Sequence, residues 1–166
     1  MNIRKEKKSD IKAIFEITKQ AFANHPVSQG TEQFIINALR KDNALTISLV
    51  AEIEGKVVGH IAFSPIAISD GSCDWYTLGP ISVQPKFQRQ GIGHALIREG
   101  LSQLKSLGAQ GCVVVGPPEY YNRFGFKSYP NLSMQGVPQQ YVLGLPFNEK
   151  MAIGSITHHH AFSVKQ

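Results

Sequence analysis

The sequence has few cysteines and no long apolar run, and each lack counts against a class of protein. Only Cys73 and Cys112 are present among 166 residues. They lie far apart and without the short spacing of zinc ligands, which argues against a disulfide framework and a zinc site. No stretch approaches the ~18 apolar residues of a membrane helix, and no signal-peptide pattern is present. We therefore expect a protein of the reducing cytoplasm with no membrane partner.

Acidic residues are also fewer than basic ones. There are 12 Asp and Glu against 17 Lys and Arg, for a formal net charge of +5 and a pI of about 9.3. This balance permits nucleic acid, acidic lipid or a polyanionic small ligand as a partner. Apart from a small cluster at residues 4–8, the basic residues are scattered, and no Lys/Arg stripe with interleaved aromatics occurs. We therefore expect no nucleic-acid partner.

Apolar residues follow two different periods that alternate along the chain. Spacings of three and four predict helices at residues 10–22, 31–40, 91–107 and 117–123. Alternating or continuous apolar runs predict strands at residues 2–7, 45–53, 56–68, 75–83, 111–116, 124–129, 140–145 and 155–162. The last of these strands includes the triplet His158 to His160. The alternation predicts the α/β class with a mixed sheet, and the length fits one domain, residues 1–166.

Two glycine-containing dipeptides mark special points in the strands. Glu54-Gly55 separates two strand patterns and predicts a hairpin turn. Gly79-Pro80 lies inside the strand at 75–83. Proline cannot donate a ladder hydrogen bond, and glycine weakens a strand interior. We therefore expect a β-bulge or a splayed strand pair at this position.

The stretch "QRQGIG", Gln88 to Gly93, lies between a predicted strand and a predicted helix and includes the start of that helix. The first N–H groups of a helix have no internal partner and, with the helix dipole, favour an anion. Gly91 and Gly93 lack a Cβ, so a phosphate can approach the backbone, and Arg89 and Lys86 add positive charge. The stretch predicts a pyrophosphate cradle, with a plain tight turn as the alternative. It is neither a P-loop nor a Rossmann fingerprint, whose third glycine would fall at Leu96.

A second motif, "YYNRFGF" at Tyr120 to Phe126, follows one strand after that helix. The pair of motifs resembles the GNAT superfamily of acyl-CoA-dependent N-acyltransferases. Gln88, Gly91 and Gly93 fill its Q/R-x-x-G-x-G/A signature, and Tyr121 stands four residues before Gly125. The resemblance covers residues 2–129. Residues 130–166 are less typical and are similar to a bacterial branch whose substrates are often unassigned.

The resemblance implies a fold, an activity and a cofactor site. The fold is a mixed, mostly antiparallel central sheet with helices on both faces and a splayed central strand pair. The activity is acetyl transfer from acetyl-CoA to a primary amine of a small molecule or peptide, by a monomer or homodimer and without a metal. The pantetheine arm would pair with Ile81, Ser82 and Val83. The pyrophosphate would meet the N–H groups of Arg89, Gln90, Gly91, Ile92, Gly93 and His94. Many relatives carry an asparagine where this chain has Val114, which removes one pantetheine contact.

Amine acylation requires a proton donor for the leaving thiolate and a base for the amine. Tyr121, a phenol with an ordinary pKa of ~10, fits the role of general acid. The base is open among several acids and histidines: Glu52, Glu54, Asp74, His60, His158 and Glu119. His25, in a break between two helices, is a candidate for the mouth of the acceptor site.

Two function classes therefore stay open from the sequence. The first is an N-acetyltransferase whose acceptor is a protein N-terminus or lysine, a polyamine, an amino acid or an aminoglycoside-like drug. The second is a module that senses acyl-CoA or docks a partner without turnover. The presence of Tyr121 and of both cradle glycines favours the enzyme.

Overall fold

The computed structural model describes residues 1–165, which form nine strands and four α-helices. The strands are β1 Asn2–Lys5, β2 Ile47–Ile53, β3 Lys56–Ile68, β4 Trp75–Val83, β5 Gly111–Val115, β6 Lys127–Ser128, β7 Leu132–Ser133, β8 Val142–Pro146 and β9 Gly154–His158. The helices are α1 Ile11–Phe22, α2 Glu32–Lys41, α3 Ile92–Ser106 and α4 Pro118–Tyr121. Short 3-10 turns span Lys8–Asp10, Pro85–Phe87, Asn122–Phe124, Gln139–Tyr141 and His160–Ser163.

The strands form a mixed sheet in the order β1-β2-β3-β4-β5-β8-β6. All neighbours in this order are antiparallel except β4 and β5. β9 extends the far end of β3, and β7 pairs with β9 in parallel. The expectation of a mixed, mostly antiparallel sheet is confirmed.

Helices cover both faces of this sheet because neighbouring strand residues point to opposite sides. Leu49 of β2 packs in a cluster with Leu96 of α3. The next residue, Val50, packs with Ile14 of α1 and Ile36 of α2. α3 therefore lies on one face, and α1 and α2 lie on the other, as expected.

The irregularity expected at Gly79-Pro80 is a β-bulge. Ile61 pairs with Ile81 and Phe63 pairs with Leu78, so Ala62 opposes two residues of β4. The extra residue shifts the register of β4 by one. As a result, the side chains of β4 after the bulge still point the same way as the β3 residues that they pair with. The odd and even positions of β4, however, exchange faces at the bulge.

β4 and β5 pair over only three residues. Trp75–Thr77 pairs with Gly111–Val113, and in the described part of the chain residues 78–83 have no ladder partner on the β5 side. β5 continues to Val115 alongside β8. The two strands therefore diverge and leave a wedge between residues 78–83 and 114–116, which we call the gap. The predicted splayed strand pair is confirmed.

Two predicted strands are wrong in extent. The strand predicted at 155–162 ends at His158, and residues 160–163 form a 3-10 turn. The His159 ring accepts the N–H of Ala161 and caps that turn. The strand predicted at 124–129 shrinks to Lys127–Ser128, because residues 122–124 form a turn that Gly125 ends at φ 99°. β7 has no counterpart in the sequence prediction.

Among residues 1–165, no helix combines the length and the apolar character needed to cross a lipid bilayer.

Candidate active site

The N-terminus of α3 presents a row of free N–H groups. The first helical bond runs from the N–H of Ala95 to the carbonyl of Gly91. Within residues 1–165, no main-chain N–H of residues 89–94 donates to another atom of the chain. Arg89 and Gly91 both have left-handed backbones, at φ 64° and 86°, and alternating conformations of this kind form an anion-binding nest. These six donors, together with the helix dipole, can hold a phosphate group.

The loop before α3 is tied to β4 by its own side chains. The Gln88 amide donates to the carbonyl of Val83 over 3.0 Å, and the Gln90 amide donates to the carbonyl of Lys86 over 3.4 Å. A Cβ built on Gly91 meets nothing within 4 Å. The space above the cradle is therefore open, and the loop that borders it is held in place.

The predicted pantetheine strand, Ile81 to Val83, borders the gap. Ser82 is buried, and its hydroxyl lies 3.2 Å from that of Thr18 on α1. Ile81 and Val83 pack against the core on the α3 face. The side chains of these residues are thus occupied, and only main-chain groups are offered to the gap. Val114, where the resemblance implied an asparagine in many relatives, is 2% exposed and belongs to the same core.

Tyr121 lies at the end of the gap where β5 gives way to α4. A Cβ built on Gly116 would lie 2.5 Å from the Tyr121 ring, so the ring packs directly on that glycine. Tyr120 and Phe126 meet the ring edge-to-face at 5.0 and 5.9 Å. Burial, and then the neighbouring Tyr120 and Cys112, raise the pKa of Tyr121 to about 12. The phenol therefore keeps its proton at neutral pH.

Tyr120 faces a different direction from its neighbour. Its hydroxyl lies 3.6 Å from a Cβ built on Gly93, next to the first turn of α3. The guanidinium of Arg123 sits 4.7 Å from its ring centroid. Burial raises the pKa of Tyr120, and the charge of Arg123 opposes that shift. The sequence motif singled out only Tyr121, and the spacing alone carried no sign that the Tyr120 hydroxyl approaches the cradle.

Four cations surround the start of α3 without a carboxylate partner among the described residues: Lys86, Arg89, Arg98 and Arg123. All four are exposed. Sequence reasoning named the first two and missed the others. A polyanion at the cradle would meet this uncompensated positive charge.

Arg98 belongs to a stacked group on the exposed side of α3. Its Nε donates to Nε2 of His94 over 2.6 Å, and its guanidinium lies 5.8 Å from the Phe124 ring centroid. The His94 and Phe124 rings are 4.8 Å apart. The i, i+4 spacing of His94 and Arg98 on a helix is the signal that could have revealed this pair.

His60 is placed where it cannot act as a base for a substrate. It has no exposed surface, and its Nε2 lies 2.7 Å from the hydroxyl of Ser48. The hydroxyl of Ser48 in turn donates a hydrogen bond to the Glu6 carboxylate. Arg40 donates to the same carboxylate through two nitrogens, each at 2.9 Å. Burial lowers the pKa of His60 to about 4. The network connects the residue after β1 to α2, β2 and β3.

The acidic candidates for the base are not brought together. Glu52 is held by Arg4 at the β1 edge, 3.1 Å away. Glu54 precedes β3 and Asp74 precedes β4, and because these strands are antiparallel the two turns lie at opposite ends of the sheet. Glu119 is exposed on α4. His25, the candidate for the acceptor mouth, is exposed in the α1–α2 connection beside Phe22.

His158 differs from the other candidates. It ends β9 and stacks on Phe162 with ring centroids 4.3 Å apart. Its Nε2 is buried and has no hydrogen-bond partner among the described residues. Burial lowers the pKa of His158 to about 4, so the ring is uncharged at neutral pH.

Asp42, His159 and His160 form a cluster that resembles a metal site by distance. Their ligand atoms lie within 4.8 Å of one another, and His160 contacts Asp42 at 2.8 Å. However, Nδ1 of His159 accepts the N–H of Ala161 over 3.0 Å, which leaves the proton of the neutral ring on Nε2, the atom that faces Asp42. A metal needs a lone pair there. The contacts of this cluster connect Asp42, at the C-terminal end of α2, to the last turn.

A groove of about 680 Å³ lies away from the cradle. It is lined by residues of β1, α2 and β2 and by Gln103, Ser106 and Leu107 at the C-terminal end of α3. The cradle is at the other end of that 15-residue helix, ~22 Å away. The groove therefore does not belong to the cradle, the gap or Tyr121.

A sheet with a splayed central pair and an anion cradle beside the gap defines the class of acyl-cofactor transferases. The sequence profile of the acetyltransferase (GNAT) domain family matches residues 45–128. The chain belongs to the GNAT acetyltransferase family.

Known relatives agree with this family. The chain is 34% identical over 128 residues to the uncharacterized N-acetyltransferase YhbS of Escherichia coli K12, covering 76% of this chain and 74% of the relative. A crystal structure of a GNAT family acetyltransferase from Brucella melitensis with acetyl-CoA has 46% identity, 97% coverage of both chains and a TM-score of 0.87. The structure of Escherichia coli YhbS with CoA has 27% identity, 98% and 92% coverage and a TM-score of 0.88.

Proposed function

We propose that this protein transfers an acetyl group from acetyl-CoA to a primary amine of a small-molecule or protein acceptor. The observation that carries the proposal is the row of six free N–H groups at residues 89–94, next to a gap between two central strands. The Brucella melitensis relative, at 46% identity, is in complex with acetyl-CoA. The relative YhbS is in complex with CoA.

The residues around the cradle fit the phosphates of such a co-substrate. The N–H groups of Arg89, Gln90, Gly91, Ile92, Gly93 and His94 would bind the pyrophosphate, with the Arg89 guanidinium as a charged partner. Ile92 has a buried side chain, so its contribution is the main chain alone. Main-chain groups of Ile81, Ser82 and Val83 would pair with the pantetheine arm, as an added strand does. The exposed Arg98 and Arg123 supply further positive charge nearby.

The chemistry requires two proton movements. The amine nitrogen attacks the thioester carbon with its lone pair, the C–S bond breaks, and the thiolate leaves with the bonding electrons. Tyr121 would donate its hydroxyl proton to that sulfur and regain one from solvent. The nitrogen must lose a proton, because an amine of pKa ~10.4 is mostly charged at neutral pH. A main-chain N–H of the bulged strand would stabilise the oxyanion.

The experiment that tests the proposal uses a library. The purified protein is incubated with acetyl-CoA and a collection of amines and peptides, and products are identified by mass spectrometry while released thiol is measured. Acetylated amine with matching thiol release supports the proposal. Binding of acetyl-CoA without any product would favour the alternative, a sensor or docking module with the same fold.

A further inference from the structure

The closed end of the gap carries a group of polar side chains on one face of the sheet. Thr77, in the last pair between β4 and β5, is paired with Val113 on one side and with Ser64 of β3 on the other. Directly paired residues point to the same face. His158 pairs with Ile66, two residues along β3 from Ser64, so it points to that face as well. On that face Ser64 therefore has Thr77 directly opposite and His158 diagonally opposite; we call these three residues the polar floor.

The polar floor lies on the face that α1 and α2 cover. His60 is four residues before Ser64 on β3 and pairs with Ser82. The hydroxyl of Ser82 contacts Thr18 on α1. Because alternate residues of a strand share a face, Ser64 points to the same side as His60 and Ser82. The polar floor is thus on the opposite side of the sheet from α3.

Buried atoms of this region lack hydrogen-bond partners. Ser64 has no exposed surface, and its Oγ has no hydrogen-bond partner among residues 1–165. Nε2 of His158 also has no hydrogen-bond partner among these residues. Oε1 of Gln33, which is 4% exposed, is a third such atom. Gln33 lies on α2, which packs against β4 and against the turn that carries Phe162, the ring stacked on His158. All three atoms can accept hydrogen bonds.

Buried acceptors without donors are rare and call for a partner. The missing partner must supply N–H or O–H groups. Water or a neutral primary amine can do so, and the neutral amine nitrogen carries two hydrogens and one lone pair. The lone pair stays free for attack when the hydrogens are held.

The polar floor is also within reach of a thioester anchored at the cradle. Val83 lies beside the cradle, and Leu78 lies at the closed end of the gap, five residues along β4. That is ~17 Å of extended strand, comparable to an extended pantetheine arm. The reacting carbon would therefore come to the level of Thr77 and Ser64.

We propose that the polar floor is the acceptor site, where the neutral amine donates its two hydrogen bonds to Oγ of Ser64 and Nε2 of His158, with Oε1 of Gln33 as an alternative acceptor. This inference rests on the proposed function. These side chains hold the nitrogen and take no part in bond making or breaking. The uncharged ring of His158 can accept at Nε2 when Nδ1 carries the proton.

The surroundings of the polar floor point to the kind of amine. Trp75, Val113 and Ile156 are buried around it, and Ile66 packs against them. An amine that reaches this region would meet apolar side chains, so the matching class is a primary amine on an apolar stem, for which n-butylamine is a suitable probe.

The kinetic test compares transfer from acetyl-CoA to n-butylamine in variants of the full chain. Ser64→Ala and His158→Gln are each expected to raise the KM for the amine about tenfold, the effect of losing one hydrogen bond in a buried site, with acetyl-CoA affinity unchanged. His160→Gln, an exposed residue of the same triplet, is the control and should leave both constants unchanged. An unchanged amine KM in both test variants overturns the proposal.

A binding test separates this inference from the proposed function. Nitrogen NMR of the histidine rings is recorded on the CoA-saturated protein during titration with n-butylamine. The Nε2 resonance of His158 should move, that of His160 should not, and Ser64→Ala should weaken the response. This outcome supports the site even if no acetylated product forms. A His158 resonance that stays in place overturns the site even if the enzyme is active.

Discussion

At the scale of single residues, two adjacent tyrosines have different surroundings. The Tyr121 ring is 8% exposed and packs on Gly116, whereas the Tyr120 hydroxyl approaches Gly93 at the start of α3. Their rings are nearly perpendicular, at 89°. The two tyrosines therefore have different surroundings, which fits the proposed roles of Tyr121 as proton donor and of Tyr120 as a group near the cofactor.

Tyr121→Phe should lower kcat while leaving acetyl-CoA affinity nearly constant. The change keeps the ring and deletes only the hydroxyl. If that hydroxyl protonates the leaving thiolate, the interaction that is lost is one made in the transition state. Because a thiolate is already a fair leaving group, we expect a loss toward the low end of ~10²-fold. Steady-state kinetics and calorimetry measure the two quantities.

Tyr120→Phe is the matched control for that experiment. Its hydroxyl lies at the cradle, so we expect a moderate loss of cofactor affinity and little change in kcat. Equal losses of kcat in the two variants would contradict the assignment of the acid. A loss of affinity alone in Tyr121→Phe would make that hydroxyl a cofactor anchor.

Gly91→Glu should weaken acetyl-CoA binding much more than Gly91→Ala does. Both variants place a Cβ on a left-handed residue at φ 86°, so both pay the same backbone strain. Only glutamate adds a negative charge where the phosphate would sit. Calorimetry of the two folded variants measures both affinities for acetyl-CoA. Equal affinities would contradict the binding of a phosphate at this loop.

Arg89→Ala should cost about 1.5–3 kcal/mol of acetyl-CoA binding free energy, the range for a hydrogen bond to a charged group. The free N–H groups remain, so binding should persist with a shallower dependence on salt. Lys105→Ala at the other end of α3 is the control. If both variants bind alike at low salt, Arg89 is directed elsewhere.

At the scale of elements, α3 lies unusually close to β3. A Cβ built on Gly100 would stand 2.2 Å from the ring of Phe63. Only glycine therefore lets the helix approach the sheet at this point. The contact keeps the start of α3, and with it the cradle, at a set position relative to the end of β4.

Gly100→Ala should lower the free energy of unfolding by about 1–3 kcal/mol, the usual cost of overpacking a core. The better helix propensity of alanine offsets only part of this, at most ~1 kcal/mol. Glu99→Ala, exposed on the same helix, should change stability by less than about 0.5 kcal/mol. Denaturant unfolding of the three proteins measures this, and equal midpoints would contradict the close packing.

At the scale of the whole molecule, the buried His60 network couples stability to pH. His60 is uncharged when folded, because burial lowers its pKa from 6.5 to about 4. Burial alone would raise the pKa of Glu6, but the hydrogen bonds from Arg40 and Ser48 outweigh it and lower the pKa. Groups with lowered folded pKa values stabilise the fold at higher pH and lose that contribution as pH falls.

His60→Asn should therefore flatten the pH dependence of stability between about pH 6.5 and 4. A shift of this size corresponds to about 3 kcal/mol that the wild-type protein loses across that window. Denaturant unfolding at several pH values measures the slope. Replacement of the exposed His25 by Gln should leave the slope unchanged, and an unaltered slope in His60→Asn would contradict the neutral buried ring.

Much of the fold follows from local chemistry that a sequence displays. The stripes on α1 and α3, the Glu54-Gly55 turn and the Gly79-Pro80 bulge depend on periodicity and on the special backbones of glycine and proline. The two spaced motifs indicated the family. These features depend on residues that are close together along the chain, so they can be predicted from the sequence.

Other features depend on residues that meet only after folding. The triplet His158–His160 looked like strand, but the His159 cap and the packing of Phe162 against α2 end the strand early. Burial of His60 and the pairing that brings Ser64, Thr77 and His158 together join segments up to 94 residues apart. Neither exposure nor cross-strand register is a local property. The sequence alone therefore determined the class of fold and the prediction of a phosphate cradle, whereas the tertiary structure decided that His60 joins a buried network with Ser48 and that His158 lies on the face of the sheet that carries Ser64.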